Sequence, residues 1–234
     1  MGTLNGRIAL ITGASRGIGY EVAKQFAAEG AHVVLVARTV GALEELDDDI
    51  RKKGGAATLV PLDLREHTLI DHLGHTIYQR WGKLDILVGN AAQLGVLTPL
   101  AQVDPKIWQQ VFDVNVTANY RLIRSMDPLL RKSDAGRAIF VTSGAASGNF
   151  AYWGAYGASK AALEVMVCTY AEEMAHTRVK VNLIDPGVAR TALRAQAFPG
   201  EDPATLADPS VVARQMLVLA RPDCQSHGEI YRAA

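Results

Sequence analysis

Tyr156 and Lys160, separated by Gly157-Ala158-Ser159, put a phenol and an ammonium one helical turn apart. Positions i and i+4 share a helix face, and the good helix formers that follow from Ala161 make that helix credible. A phenol has an unperturbed pKa of about 10 and is a poor acid or base at neutral pH. An ammonium about 4 Å away, at an effective dielectric of about 20, is worth roughly 4 kcal/mol. That equals roughly three pKa units toward phenolate, so the spacing predicts a tyrosine tuned for proton transfer.

A second chemical feature lies near the N-terminus. Arg7–Thr12 is a short apolar run, read as a buried strand, and Tyr20–Glu29 has helix spacing with Gly30 as its stop. Between them stand Gly13, Ser15, Arg16, Gly17, Ile18 and Gly19. A glycine-rich turn between strand and helix lets backbone approach a pyrophosphate at the helix N-terminus. The next strand, His32–Ala37, ends where an acid would grip the ribose 2′-hydroxyl of NAD. Here Ala37 stands at that point and Arg38 follows it. Arg38, with Arg16 approaching from the other side, is expected to pair with a 2′-phosphate, so NADP(H) is expected and NAD(H) disfavoured.

The remaining elements must position these groups. Helices are expected over Val40–Lys53, His67–Trp81, Pro105–Lys132 and about 152–176, with Pro128 ending or kinking the third early. Further strands are expected at Ala57–Leu62, Leu84–Val88, Gly136–Thr142, Val179–Ile184 and Glu229–Tyr231. Residues 188–207 read as loop with one short helix, Thr191–Ala197, and Asp208 or Ser210 caps a last helix to Arg221. Alternating strands and helices give a Rossmann-type, doubly wound α/β sandwich of three layers, its sheet seven-stranded and mainly parallel. One domain over 1–234 is the economical reading. Ligands of such sheets bind at the carboxyl ends of strands, where Gly13, Arg38, Asp63, Asn90, Ser143 and Pro186 fall.

The set Thr12-Gly13-x-x-x-Gly17-Ile18-Gly19, Asp63-Leu64, Asn90-Ala91, Asn115, Ser143, Tyr156-x-x-x-Lys160 and Pro186-Gly187-Val188-Ala189-Arg190-Thr191 resembles the short-chain dehydrogenase/reductase family in its single-domain branch. Phe198–Pro203 resembles a subgroup of uncharacterised bacterial oxidoreductases. The resemblance implies a role for each matching residue. Tyr156 would be the acid/base; Lys160 would lower its pKa and hold the nicotinamide ribose. Ser143 would bond the substrate oxygen, and Asn115 would hold a water in a proton relay behind Lys160. Asp63 would touch the adenine and Asn90 the ribose region, with Leu64 and Ala91 also meeting the cofactor. The Val188 backbone and Thr191 would fix the carboxamide, and Pro186 and Gly187 would also meet the cofactor. Family members pair through two long helices, so a homodimer or homotetramer is implied. Ala92 departs from the family's usual glycine, which predicts a different local turn.

Composition narrows the class. Twenty-four basic and 24 acidic residues cancel, leaving no basic excess for nucleic acid or an anionic membrane. No apolar run approaches about 18 residues, so no span is expected. Cys168 and Cys224 form no redox or metal motif, and His67, His72 and His75 read as a solvated face, so no metal site is expected. Reduced thiols and a start without a signal peptide predict a cytoplasmic protein. The substrate is expected to be a small or medium carbonyl compound or alcohol with an apolar part, held near Leu94, Gly144, Ala145, Tyr152, Trp153, Val188 and Leu193. Two other readings use the same fold: a dinucleotide sensor without chemistry, and a dehydratase or epimerase.

Overall fold

The computed structural model describes residues 2–233. Its centre is one parallel sheet of seven strands in the order β3-β2-β1-β4-β5-β6-β7. These are Ile8–Thr12 (β1), His32–Ala37 (β2), Ala56–Pro61 (β3), Ile86–Gly89 (β4), Arg137–Val141 (β5), Lys180–Asp185 (β6) and Ile230–Arg232 (β7). Every residue of β1, β4 and β5 is buried, as expected of strands covered on both faces. Side chains alternate across the sheet. Ala9, Ile11, Val33 and Leu35 enter one core with Phe26 and Met216; Leu10, Val34 and Val36 enter the other with Ile70, Leu122 and Leu163.

The first core is covered by α1 (Gly17–Ala28), α2 (Val40–Lys52) and α8 (Pro209–Ala220). The second is covered by α3 (His67–Trp81), α5 (Ala118–Leu130) and α6 (Gly154–Met174). The order reverses between β1 and β4, so the strand ends there splay apart into the crevice that such sheets offer a ligand.

The expected helix over 105–132 is not continuous. It divides into α4 (Pro105–Phe112) and α5, joined by one wide π-helical turn, Asp113–Thr117. Asp104 caps α4 by accepting from Lys106 N at 2.7 Å. Pro128 does not end α5, which runs on to Leu130. The segment 188–207 carries α7 (Ala192–Ala197), and Asp208 rather than Ser210 caps α8, accepting from Ser210 N.

The opposite end of the sheet is tied by a buried carboxylate. Asp85 accepts from Ser133 Oγ (2.6 Å), Lys83 Nζ (2.9 Å), Ile8 N (2.9 Å) and Arg7 Nη1 (3.2 Å), and its side chain is fully buried. Removing one partner of such a pair strands the others. Asp85→Ala should therefore lose about 3–5 kcal/mol of stability in a urea titration. A loss below about 1 kcal/mol would show that the network is not holding β1 to β4.

Candidate active site

The glycine turn is built for close approach. Gly13 and Gly17 take φ of +66° and +59°, left-handed values that other residues rarely adopt. A Cβ on Gly19 would sit 2.3 Å from the Gly13 carbonyl oxygen. Asn90 locks the turn from the β4 side, its Nδ2 donating to Thr12 O (2.9 Å) and Gly13 O (3.3 Å). Thr12 Oγ1 in turn accepts from the backbone N–H of Asn90 and Ala91. The first residue before α1 is Arg16, whose side chain makes no capping bond. The first-turn N–H groups of α1 are thus left for an anion. This turn, with uncapped donors and no room for a Cβ, fits the pyrophosphate of a dinucleotide.

A cleft of about 590 Å³ opens from that turn along the carboxyl ends of the strands. It brings together Gly13, Ser15, Arg16, Gly17, Ile18, Arg38, Asp63, Leu64, Asn90, Ala91, Ser143, Tyr156, Lys160, Pro186, Gly187 and Thr191. Three expected residues stand apart, the first being Gly19, which is buried within α1. Val188 is half-exposed and does not line the cleft, and Asn115 is fully buried behind it. Of the expected substrate residues, Leu94, Trp153 and Leu193 line the cleft and Ala145 packs on Tyr156, whereas Tyr152 is exposed. Tyr152 also holds φ at +73°, the only non-glycine residue with positive φ among those described. Ala92 lines the cleft with negative φ, and the left-handed position falls instead at Gly95.

Asn115 sits in the wide turn. Its Nδ2 donates to Gln93 O (3.0 Å) and Ser159 Oγ (2.9 Å), and its Oδ1 accepts from Gln93 N (2.8 Å). The Asn115 carbonyl also accepts from Asn119 Nδ2 at 2.9 Å.

The Tyr156–Lys160 pair differs from the sequence expectation. Lys160 is buried and its Nζ donates to Val141 O at 2.8 Å, lying 5.7 Å from the Tyr156 ring centre. Burial pushes the Tyr156 phenol up to about 12, with Asp185 adding to the rise and the Ser143 hydroxyl pulling against it. The same burial lowers Lys160 to about 8, opposed by Glu164. The phenol is not lowered by its neighbour, because desolvation outweighs an ammonium turned toward a carbonyl.

Spacing also missed two arginines of the cleft. Arg65 grips Asp63 through Nε and Nη2, the shortest contact being 2.6 Å, and holds that carboxyl below its usual range. Arg194 on α7 is paired with Glu201. Asp-x-Arg was a readable signal for the first pair; the second needs the turn after α7 to bring its partners together.

The family model of the short chain dehydrogenases matches residues 7–202. The chain belongs to that family, and it is an oxidoreductase. The uncharacterised oxidoreductase YciK of Escherichia coli K12 is 40% identical over 223 residues, spanning 94% of this chain and 88% of that protein. A short chain dehydrogenase of Shigella flexneri 2a strain 301, solved with NADP, is 38% identical, covers 99% of this chain and 98% of its own, and superposes with a TM-score of 0.94. One from Escherichia coli CFT073, solved with NADPH, is 39% identical with the same coverage and a TM-score of 0.93. Among the described residues, no helix is long and apolar enough to cross a membrane.

The buried lysine has a pH signature. Its folded pKa, about 8, lies below the ordinary 10.5, so between those values the unfolded chain holds a proton that the folded chain has lost. Stability from this group rises with pH through that window. Relative to Lys160→Met, the wild type should gain about 2–3 kcal/mol between about pH 7 and about pH 10. Chemical unfolding of both proteins at the two pH values measures it, and a constant difference would contradict the burial of the ammonium.

Proposed function

We propose that this dehydrogenase reduces a carbonyl compound to a secondary alcohol with NADPH, with Tyr156 as the proton donor. The carrying observation is that the Tyr156 phenol, held protonated by burial, shares one cleft with the uncapped start of α1. Bound there, NADPH would supply a hydride. The first-turn N–H groups of α1 would take its pyrophosphate, and Thr191, whose side chain reaches over Gly17, would close on it. Ser143 and Tyr156 would bond the substrate oxygen, Tyr156 giving its proton as negative charge develops there. Lys160 would hold the ribose and, by its charge, ease the departure of that proton.

NADP preference rests on Arg38 and Arg16. Both line the cleft, and neither has an ion-pair partner among the described residues. The nearby carboxylate, Asp63, is already taken by Arg65. No acid stands at the end of β2 to bond a ribose 2′-hydroxyl. The relatives solved with NADP and NADPH support the same reading.

A homodimer or homotetramer is part of the proposal. Val165 on α6, Val218 on α8 and Ile230 on β7 are large apolar side chains left 69%, 56% and 45% exposed. Light scattering at micromolar concentration should exceed the 25.1 kDa of one chain. Recovery of the monomer alone would count against pairing.

Tyr156→Phe should abolish turnover while NADPH affinity stays near wild type, since the proton is needed only during chemistry. Arg38→Ala should weaken NADPH roughly 10- to 150-fold and leave NADH nearly unchanged. Calorimetric titration of wild type and variant with both cofactors decides it. Equal losses for the two, or tighter NADH binding by the wild type, would refute the NADP assignment.

A further inference from the structure

The two ends of the cleft differ in charge. At the cofactor end Arg16 and Arg38 are without ion-pair partners among the described residues. Around Tyr156 the walls are apolar: Leu94, Trp153, Leu193 and Ala197 pack with it. Among the described residues, the one cation beside those walls, apart from the buried Lys160, is Arg194 on α7. Its charge is fully engaged. Nε donates to Glu201 Oε2 and Nη2 to Glu201 Oε1, both at 2.6 Å, a fork that matches carboxylate geometry. Its guanidinium carbon lies 3.8 Å from the Phe198 ring centre.

The pair is coupled to the chemistry by aromatic contacts. Phe198 lies 5.8 Å from Trp153, and Trp153 lies 5.8 Å from Tyr156, measured between ring centres. Gln196 ties the same helix across the cleft by donating to Gly95 O at 3.0 Å. Arg194 and Glu201 are each about three-quarters buried, at 25% and 26% side-chain exposure. Arg194 lines the cleft, so the fork sets the charge of that wall. The Glu201 carboxyl is held below its usual range by Arg194, so it stays ionised whenever the guanidinium needs it.

We propose that Glu201 masks Arg194, so that the site selects an uncharged, apolar carbonyl compound and rejects the same compound bearing a carboxylate. The inference rests on the carbonyl-reductase reading above and adds its substrate class. A carboxylate brought against Leu94, Trp153 and Leu193 would shed its hydration with no free cation to receive it. A neutral ring or chain loses nothing there and gains apolar contact.

The matched pair methyl para-acetylbenzoate and para-acetylbenzoate tests this, because the ketone is the same and only the charge differs. The wild type should show a kcat/KM at least about tenfold higher for the ester, the worth of one charge-assisted contact. Glu201→Gln keeps the shape and frees the guanidinium charge, so it should shrink that ratio several-fold. Arg194→Met leaves Glu201 uncompensated, so it should widen the ratio. A purely structural role would lower both substrates together in both variants. Calorimetry of the two compounds on the NADP-loaded protein reads the same ratio without turnover. Preference for the ester in binding, with no carbonyl ever reduced, would refute the reductase reading and leave the masking intact. Reduction with no charge preference, a ratio unmoved by Glu201→Gln, or an ester that does not bind would overturn the masking.

Discussion

The site depends on the side chain of one buried amide. Asn115 bonds both the N–H and the C=O of Gln93, beyond the end of β4, and with its remaining donor reaches Ser159 on α6. Ser159 passes the contact on by donating to the Tyr156 carbonyl at 2.7 Å. The segment after β4, the wide turn and the start of α6, which carries Tyr156, are thereby fixed to one another. Each buried bond contributes only about 0.5–1.5 kcal/mol, but leaving any of these groups without its partner costs about 1–3 kcal/mol. The wide turn at Asp113–Thr117 makes this possible. Asn115 lies within it, fully buried, and its carbonyl accepts from Asn119 Nδ2.

Around that frame, burial does two opposed things with one cause. It raises the Tyr156 phenol and lowers the Lys160 ammonium, because both charged forms lose water. A phenol that keeps its proton suits delivery to a developing alkoxide. A lysine whose charge is costly is a group that gains from an electron-rich partner in the cleft. The cations that are free lie at the other end, where Arg16 and Arg38 face the same opening. The cleft is thus graded from cationic to apolar, with Tyr156 at the apolar end.

Much of this was legible in the residues. Continuous apolar runs such as Ile8–Thr12 and Ile86–Val88 can only be strands buried on two faces, and the glycines between β1 and α1 left one reading of the turn. The wide turn was not legible, since Asp113-Val114-Asn115-Val116-Thr117 contains nothing that forbids an ordinary helix. Its cause is tertiary, namely the bonds that Asn115 finds outside the helix. Spacing also overstated the tyrosine–lysine attraction, because it carries distance along a helix but neither burial nor the competing Val141 carbonyl. Asn90, expected in the ribose region, lines the cleft, and spacing did not show that its amide would also donate to two carbonyls of the glycine turn. Val188, whose backbone was expected at the carboxamide, is half-exposed and is not among the residues lining the cleft.

Hydride transfer distinguishes a reductase from a sensor, a dehydratase or an epimerase on the same fold. NADPH carrying deuterium at its transferable position, incubated with the wild-type protein and a neutral aryl ketone, tests it by mass spectrometry of the alcohol formed. The cleft described here predicts one deuterium on the carbinol carbon of the product and no alcohol from Tyr156→Phe. Alcohol without that deuterium, or an equal yield from the Tyr156→Phe protein, would contradict it.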